Sequence, residues 1–326
     1  MTLVRIIKDW DFPDFYRQTP NFRGEWDEIR FTLDAVESCD YLIVINRVPE
    51  NITITCPPQH IWCITQEPPV PEYEWLQQGF TNFHRAFVQD EHLTGKRYTH
   101  GHGALPWWVG KSYDDLKAIS APDKPKQLSW ITSNATGRHG HQQRMKFLEL
   151  MQQHINFDLW GKGFQPLEDK WDGLAPYRYA LAIENHSSRY YWTEKLMDCF
   201  LSWTMPIYYG CTNIDDYFPA EAMIKIDINK SQEAIEIIKE AVASDLWLKN
   251  RDAIAHARNL ILDKYQFFPF MANEIRKFEA QNPTYAAQQV HLPKLPYLYG
   301  KADKAKPSFA RRALSKTKRI VKKILP

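Results

Sequence analysis

Apolar positions in this chain come in short blocks rather than singly. LVRII (3–7), YLIVI (41–45) and IWCIT (61–65) are near-continuous β-branched or aromatic runs between polar segments. Such runs predict strands buried on both faces, as in a parallel sheet. GEWDEIRFTLDAVESCD (24–40) between the first two has room for a short strand or helix, and prolines at 57–58 and 68–71 flank the third run. The first half therefore reads as mixed α/β with poorly marked helices.

The second half alternates more clearly. LSWITS (128–133), FDLWG (157–161), YALAIE (179–184), MPIYYG (205–210) and MIKIDI (223–228) predict strands. Met145, Leu148 and Met151 give 138–154 helical spacing, and helices are expected over 193–203, 231–243 and 247–265. Strands separated by helices imply a parallel, doubly wound sheet. The polar stretch 112–127, with two prolines, reads as a linker. The expected domains are 1–115 and 126–295, followed by a tail at 300–326.

At 326 residues the length suits two domains, and 44% hydrophobic with 25% charged residues is ordinary globular composition. The net charge of +2 conceals an asymmetry. Of 41 Lys and Arg and 39 Asp and Glu, residues 300–326 hold ten basic and one acidic, leaving 31 basic against 38 acidic in the body. An acidic body argues against nucleic-acid binding there and gives the tail a separate task. Within 308–325, Phe309, Ala313, Leu314, Thr317, Ile320, Val321, Ile324 and Leu325 recur at helical spacing with basic residues opposite. That is the pattern of a helix lying in an anionic membrane interface; docking on the protein's own acidic body is the alternative. Five cysteines without a C-x-x-C pair read as reduced thiols. With no signal-peptide-like run at the start, the expected location is cytoplasmic and peripherally membrane-associated. The 12 Trp include rings suited to packing on sugar faces, although core positions explain most of them.

The chemistry concentrates in LAPYRYALAIENHSSRYYWTEKLMDCFLSWTMPIYYGCTNIDDYFP (174–219). A strand ends at Glu184-Asn185, a polar loop comes next, and Thr193 is placed to cap a helix with Glu194 and Lys195 in its first turn. Free N–H groups and Lys195 at a strand's carboxyl end suit a diphosphate, and Glu194 suits ribose hydroxyls. An ordinary capped helix is the structural alternative.

The pieces LAPYRYALAIEN (174–185), YWTEK (191–195) and MPIYYG (205–210) resemble, in order and spacing, the signature of the α-1,3-fucosyltransferases, glycosyltransferase family ten. The likeness covers about 127–230 and is faint before it. It implies a GT-B fold, with two Rossmann-like domains facing a cleft: 1–115 on the acceptor side and 126–295 on the nucleotide-sugar side. It also implies that Asn185, Tyr191, Glu194 and Lys195 contact the donor. In SNATGRHGHQQRMKFLELM the diphosphate-binding arginine would be Arg144, with Arg138 as fallback. Thr65-Gln66-Glu67-Pro68-Pro69 is similar to the element carrying the family's proposed general base, which makes Glu67 the candidate. Pro68, where a small polar residue is usual, and His186, where Ser or Thr is usual, depart from the pattern.

The implied reaction is inverting transfer of a sugar, expected to be fucose from GDP-fucose, to a hydroxyl of a glycan or glycolipid acceptor of cell-surface polysaccharide or lipopolysaccharide type. Arg144, Lys195 and the helix N-terminus would meet the leaving diphosphate's charge, so no cofactor is required and a divalent metal would at most stimulate. No D-x-D motif stands in a plausible place, and the His100-Gly-His102 and His139-Gly-His141 pairs lack Cys partners at zinc spacing. The expected partners are thus a GDP-sugar, a glycan acceptor and an anionic membrane surface through 308–325, with no nucleic acid. Two other readings stay open. A retaining GT-B enzyme would be expected to carry two glutamates about seven residues apart, whereas Glu184 and Glu194 have nine residues between them. A non-catalytic glycan-binding or membrane-scaffold protein would keep the fold without the base.

Overall fold

The computed structural model describes residues 1–281 and 284–297. The amphipathic stretch expected at 308–325 lies outside the described residues. The first half contains β1 (Thr2–Ile7), β2 (Glu25–Trp26), β3 (Ile29–Thr32), β4 (Tyr41–Ile45), β5 (Ile52–Cys56), β6 (Ile61–Ile64), β7 (Arg85–Val88) and β8 (Tyr98–His100). Seven of these form one sheet in the order β2-β3-β1-β4-β6-β7-β8, parallel except for β2. All five residues of β4 are buried, as its unbroken apolar run requires. The segment 24–40 resolves into two short strands. Between β6 and β7 runs a long 3-10 segment, Pro71–Asn82, opened by proline.

The second half adds α1 (Tyr113–Ala118), β9 (Lys126–Ile131), α2 (His139–His154), β10 (Asp158–Trp160), β11 (Tyr177–Ile183), α3 (Glu194–Leu201), β12 (Met205–Tyr209), β13 (Ile224–Lys225), α4 (Ser231–Ala243), α5 (Leu246–Lys249), α6 (Arg251–Leu260), α7 (Phe267–Gln281) and β14 (Gln288–Leu292). Its sheet is wholly parallel, ordered β10-β9-β11-β12-β13. Counted from β9 this is the doubly wound order 2-1-3-4-5, whose direction reverses between β9 and β11. The parallel α/β character expected of both halves is present.

Three differences from the sequence reading have physical causes. The stretch 112–127 is not a free linker. Ser112 and Asp115 form a capping box on α1, and Lys124 is buried, donating to Ala175 O (2.8 Å), Ser202 O (2.8 Å) and Thr204 Oγ1 (3.0 Å). The helix expected over 247–265 is broken after α5 and ends in a π-helical turn, Ile261–Tyr265. Finally, the stretch 126–295 contributes to both cores. Helix α7 inserts Phe267, Phe268, Met271, Ala272, Ile275 and Phe278 into the core of the first sheet, and β14 pairs antiparallel with β5. The first half is rich in strands and poor in long helices, so its sheet needs an apolar cover from elsewhere. Each large side chain of α7 contributes roughly 1.5–3 kcal/mol by that burial.

Candidate functional site

Ligands of doubly wound sheets bind beyond the strands' carboxyl ends, at the point where strand order reverses. Here that point lies between β9 and β11. Thr132 and Ser133 follow β9, and Glu184 and Asn185 follow β11. Two glycines allow the surrounding backbone to close in. A Cβ on Gly140, in the first turn of α2, would stand 1.7 Å from Asn185 O. One on Gly161, at φ +115°, would stand 1.9 Å from Thr132 O.

Arg144 lies one turn further along α2 and is buried. Its guanidinium donates to Asn185 Oδ1 and to Ser133 Oγ (3.4 Å), while Nε has no protein partner. Burial pulls its pKa below the usual arginine value, and Glu184 opposes that shift. Because guanidinium stays charged in proteins, this is a fixed cation with a spare donor.

Glu184 is 1% exposed and organises the loop that returns to α3. It accepts from Thr193 N–H (2.8 Å), from the Thr193 hydroxyl, and from Lys195 Nζ (3.2 Å). Thr193 in turn accepts from Lys195 N–H, the N-cap expected from the sequence. Around this pair lies a mixed-charge cluster. Glu194 Oε1 is 3.5 Å from Lys195 Nζ and 3.8 Å from Lys170 Nζ, and Lys170 reaches Asp198 Oδ2 at 2.8 Å. Burial raises Glu184 despite Lys195; burial also pushes Glu194 up, but Lys195 and Lys170 outweigh it and leave Glu194 below its ordinary value. Burial lowers Lys195, yet Glu184 and Glu194 hold it above the ordinary lysine value. Lys195 is therefore a positioned cation that already has two carboxylates to balance it.

Arg144, Asn185, Glu194 and Lys195 line one cavity of about 900 Å³, shared with His141, Lys162, Lys170 and Gly161. From the first half, Phe12 and Trp108 form part of its wall, edge to face at 5.3 Å and both exposed. Asp198 holds the Trp108 N–H (2.8 Å), and Lys170 Nζ lies 5.4 Å from its ring centroid. His141 is pushed down to about 4 by burial, with Arg144, Arg138 and Lys195 adding positive charge around it. Arg144 is thus the fixed cation on this wall of the cavity, beside a neutral His141 from the first turn of α2, a turn with no side-chain cap and no acidic residue.

The remaining candidates lie elsewhere. Tyr191 is buried and does not line the cavity. Glu67 lines a smaller cavity of about 140 Å³ with Thr65, Tyr73 and Gln89. Its carboxyl is pushed above the ordinary value by burial, against a hydrogen bond from Tyr73 and the charge of Arg138. Arg138 and His186 line a third cavity of about 540 Å³, which shares Tyr73 with the second and His141 and Asn185 with the first. Of the histidine pairs, His102 is buried against Trp192 (4.6 Å, stacked) and accepts from Ala104 N–H, while His100 stacks near Tyr190 at 5.9 Å.

Sequence reasoning missed Lys170, Asp198 and the organising role of Glu184. Glu184 stands in the quoted motif, where a carboxylate at the end of an otherwise apolar strand is a usable signal. Lys170, in the polar run LEDKWDG, offers none.

Comparison with known proteins adds an independent finding. Residues 121–245 match the family described as glycosyltransferase family 10 (fucosyltransferase) C-term. The human 4-galactosyl-N-acetylglucosaminide 3-alpha-L-fucosyltransferase 9 is 29% identical over 128 residues, covering 37% of this chain and 35% of the relative. A 4-galactosyl-N-acetylglucosaminide 3-alpha-L-fucosyltransferase of Pan troglodytes is 25% identical over 172 residues, covering 51% and 45%. This chain thus spans about a third to a half of the length of these curated relatives. A solved alpha1,3-fucosyltransferase aligns over 82% of this chain and 93% of its own with TM-score 0.48 and 18% identity.

Proposed function

We propose that this protein, whose residues 121–245 match glycosyltransferase family 10 (fucosyltransferase) C-term, transfers fucose from GDP-fucose to a hydroxyl of a glycan acceptor, inverting the anomeric carbon. The observation that carries the reading is the buried, fixed cation Arg144 at the strand-order reversal, which lines one cavity with Lys195 and Glu194.

In this reading the nucleoside diphosphate occupies the 900 Å³ cavity. Arg144 and Lys195 bind phosphate oxygens, and Glu194 accepts from the ribose hydroxyls. The acceptor oxygen attacks the anomeric carbon while the bond to the β-phosphate oxygen breaks on the opposite face. The acceptor's proton passes to the Glu67 carboxylate, and the negative charge leaves with the diphosphate. Arg144 and Lys195 are already in place when that charge develops, so little reorganisation accompanies the step. Glu67's raised proton affinity suits a base that must hold the proton until product leaves. Phe12 and Trp108 offer an apolar edge for a sugar ring. The basic stretch 308–325, read from sequence, would hold the enzyme at an anionic surface and favour a lipid-linked glycan acceptor.

Nucleoside diphosphate release should be measured with mixed glycan acceptors across GDP-, UDP- and dTDP-sugars in EDTA. Turnover confined to GDP-fucose is expected. Turnover with a different donor alone would overturn the substrate, and donor binding without any turnover would favour a glycan-binding module. Glu67→Gln should bind the donor normally and lose turnover. Full-length protein that ignored anionic liposomes would remove the membrane reading.

A further inference from the structure

Base and diphosphate candidates are housed apart. The cavity of about 140 Å³ that Glu67 lines and the 900 Å³ cavity of Arg144 and Lys195 share no lining residue. A single displacement needs the acceptor oxygen within reach of base and anomeric carbon together, roughly 3 Å from each. The 540 Å³ cavity borders both sides. It shares Pro68, Val70 and Tyr73 with the base cavity, and His141 and Asn185 with the diphosphate cavity. Its volume falls within the roughly 300–1,000 Å³ of small-ligand sites.

One half-buried side chain of this cavity, His186, has bonding capacity to spare. Beyond β11, Asn185 Oδ1 accepts from Arg144, and Ser187 Oγ donates to Gly210 O (2.8 Å). His186 stands between them and lines the 540 Å³ cavity but not the diphosphate cavity. Among the described residues no hydrogen bond reaches its imidazole; the Tyr191 ring lies 6.2 Å away, tilted by 60°. Two other polar groups of the lining are already engaged. Gln143 Nε2 donates to Asn229 Oδ1 (3.2 Å), and the Tyr209 hydroxyl accepts from Asn229 Nδ2 (3.1 Å). Burial lowers the His186 pKa, with Glu72 opposing, so at neutral pH the ring carries one N–H donor and one acceptor nitrogen.

We propose that the 540 Å³ cavity is the acceptor subsite and that His186 is its specificity-determining residue, bonding hydroxyls of a neutral sugar ring. The proposal rests on the reading of the protein as a transferase with Glu67 as base. The charges of Arg138 and Glu72 in the lining cancel, which leaves no net charge for an acidic sugar to neutralise. Pro68, Val70 and Pro71 supply an apolar face for the C–H side of such a ring. His186 also stands where the fucosyltransferase signature has Ser or Thr. An imidazole reaches further than a serine hydroxyl, and its cavity makes that difference act on the choice of acceptor.

The probes are GDP, and GDP-fucose with a panel of neutral and carboxylate-bearing oligosaccharides. His186→Ser should bind GDP as tightly as the wild type. Its KM for the preferred neutral acceptor should rise about tenfold, the size of one lost hydrogen bond, and the order of preference across the panel should change. His186→Ala should show the same rise. An unchanged KM and an unchanged order in both variants would overturn the proposal and leave the transferase reading standing. Weaker GDP binding at constant acceptor KM would also overturn it, by putting His186 on the donor side. A wild-type preference for carboxylate-bearing acceptors would overturn the neutral-sugar assignment. Wild-type protein that turned over no acceptor would instead remove the transferase reading, and the proposal with it.

Discussion

Gly140 and Asn185 approach so closely that a Cβ on Gly140 would stand 1.7 Å from the Asn185 carbonyl oxygen. Backbone lies on both sides of this contact, so neither partner can swing aside. Gly140→Ala must push the start of α2 away from β11 and carry Arg144 with it. The expected cost is roughly 1–3 kcal/mol of stability or more, as for other overpacked sites. A denaturant midpoint and a donor titration on the same sample should both fall. An unchanged donor affinity would separate the helix start from the site.

Arg144→Lys keeps the charge and loses the fork. Asn185 and Ser133 are met by two different guanidinium nitrogens, and the single ammonium nitrogen of lysine cannot occupy both positions. Donor affinity should weaken about 10- to 100-fold, in line with hydrogen bonds to charged groups. Calorimetric titration with GDP measures this directly. A loss in kcat alone would place Arg144 in leaving-group stabilisation and not in ground-state binding.

Glu184→Gln tests the buried carboxylate that receives Thr193 and Lys195. Removing one member of a buried pair costs roughly 3–5 kcal/mol, and Lys195 retains Glu194, so the lower end is expected. Thermal unfolding reports the loss. Loosening of the α3 start should weaken donor binding as well.

His102 should give the protein an acid limb of stability. Burial among Trp192, Tyr217, Tyr265 and Phe270 pushes it down to about 3, with Lys264 adding to the shift. The unfolded chain therefore binds a proton below about pH 6.5 that the folded one refuses until about pH 3. The contribution is complete above about pH 6.5 and is lost progressively as pH falls toward 3. Unfolding free energy measured across this window should fall with acid, and His102→Phe should flatten that slope by one proton. An equally steep slope in the variant would assign the limb to other groups.

Trp108→Ala removes an exposed ring held by Asp198 through its backbone N–H, a bond that survives the substitution. Stability should change little. If Trp108 packs on a sugar, KM should rise several-fold with kcat nearly constant, which steady-state kinetics will resolve.

Much of the architecture is legible in the order of residues. β1, β4, β6, β9, β11 and β12 sit where β-branched runs place them, because a strand buried on both faces has almost no alternative composition. Helix α2 and the Thr193 cap of α3 are marked by spacing and by a single side chain acting on its own backbone. The motif at 174–219 leads to Asn185, Glu194 and Lys195, which share one cavity with Arg144. Helix α7 is not legible as a cover for the first sheet. Its apolar face could have packed on either sheet, and only the shortage of long helices in the first half decides between them.

By itself, then, the amino-acid sequence determined what is local: strand and helix identities, caps, and the kinds of side chain brought to each strand's end. Tertiary structure alone decided which of them meet. Lys170 joins Asp198 and Glu194, Arg138 lies over Tyr73, and Glu67 lines a cavity apart from Arg144. Most of those contacts join positions far apart in the chain. Charge and aromatic character say only what a side chain can bind. Which partner it finds depends on how two sheets and their connecting helices pack, and no local pattern carries that information.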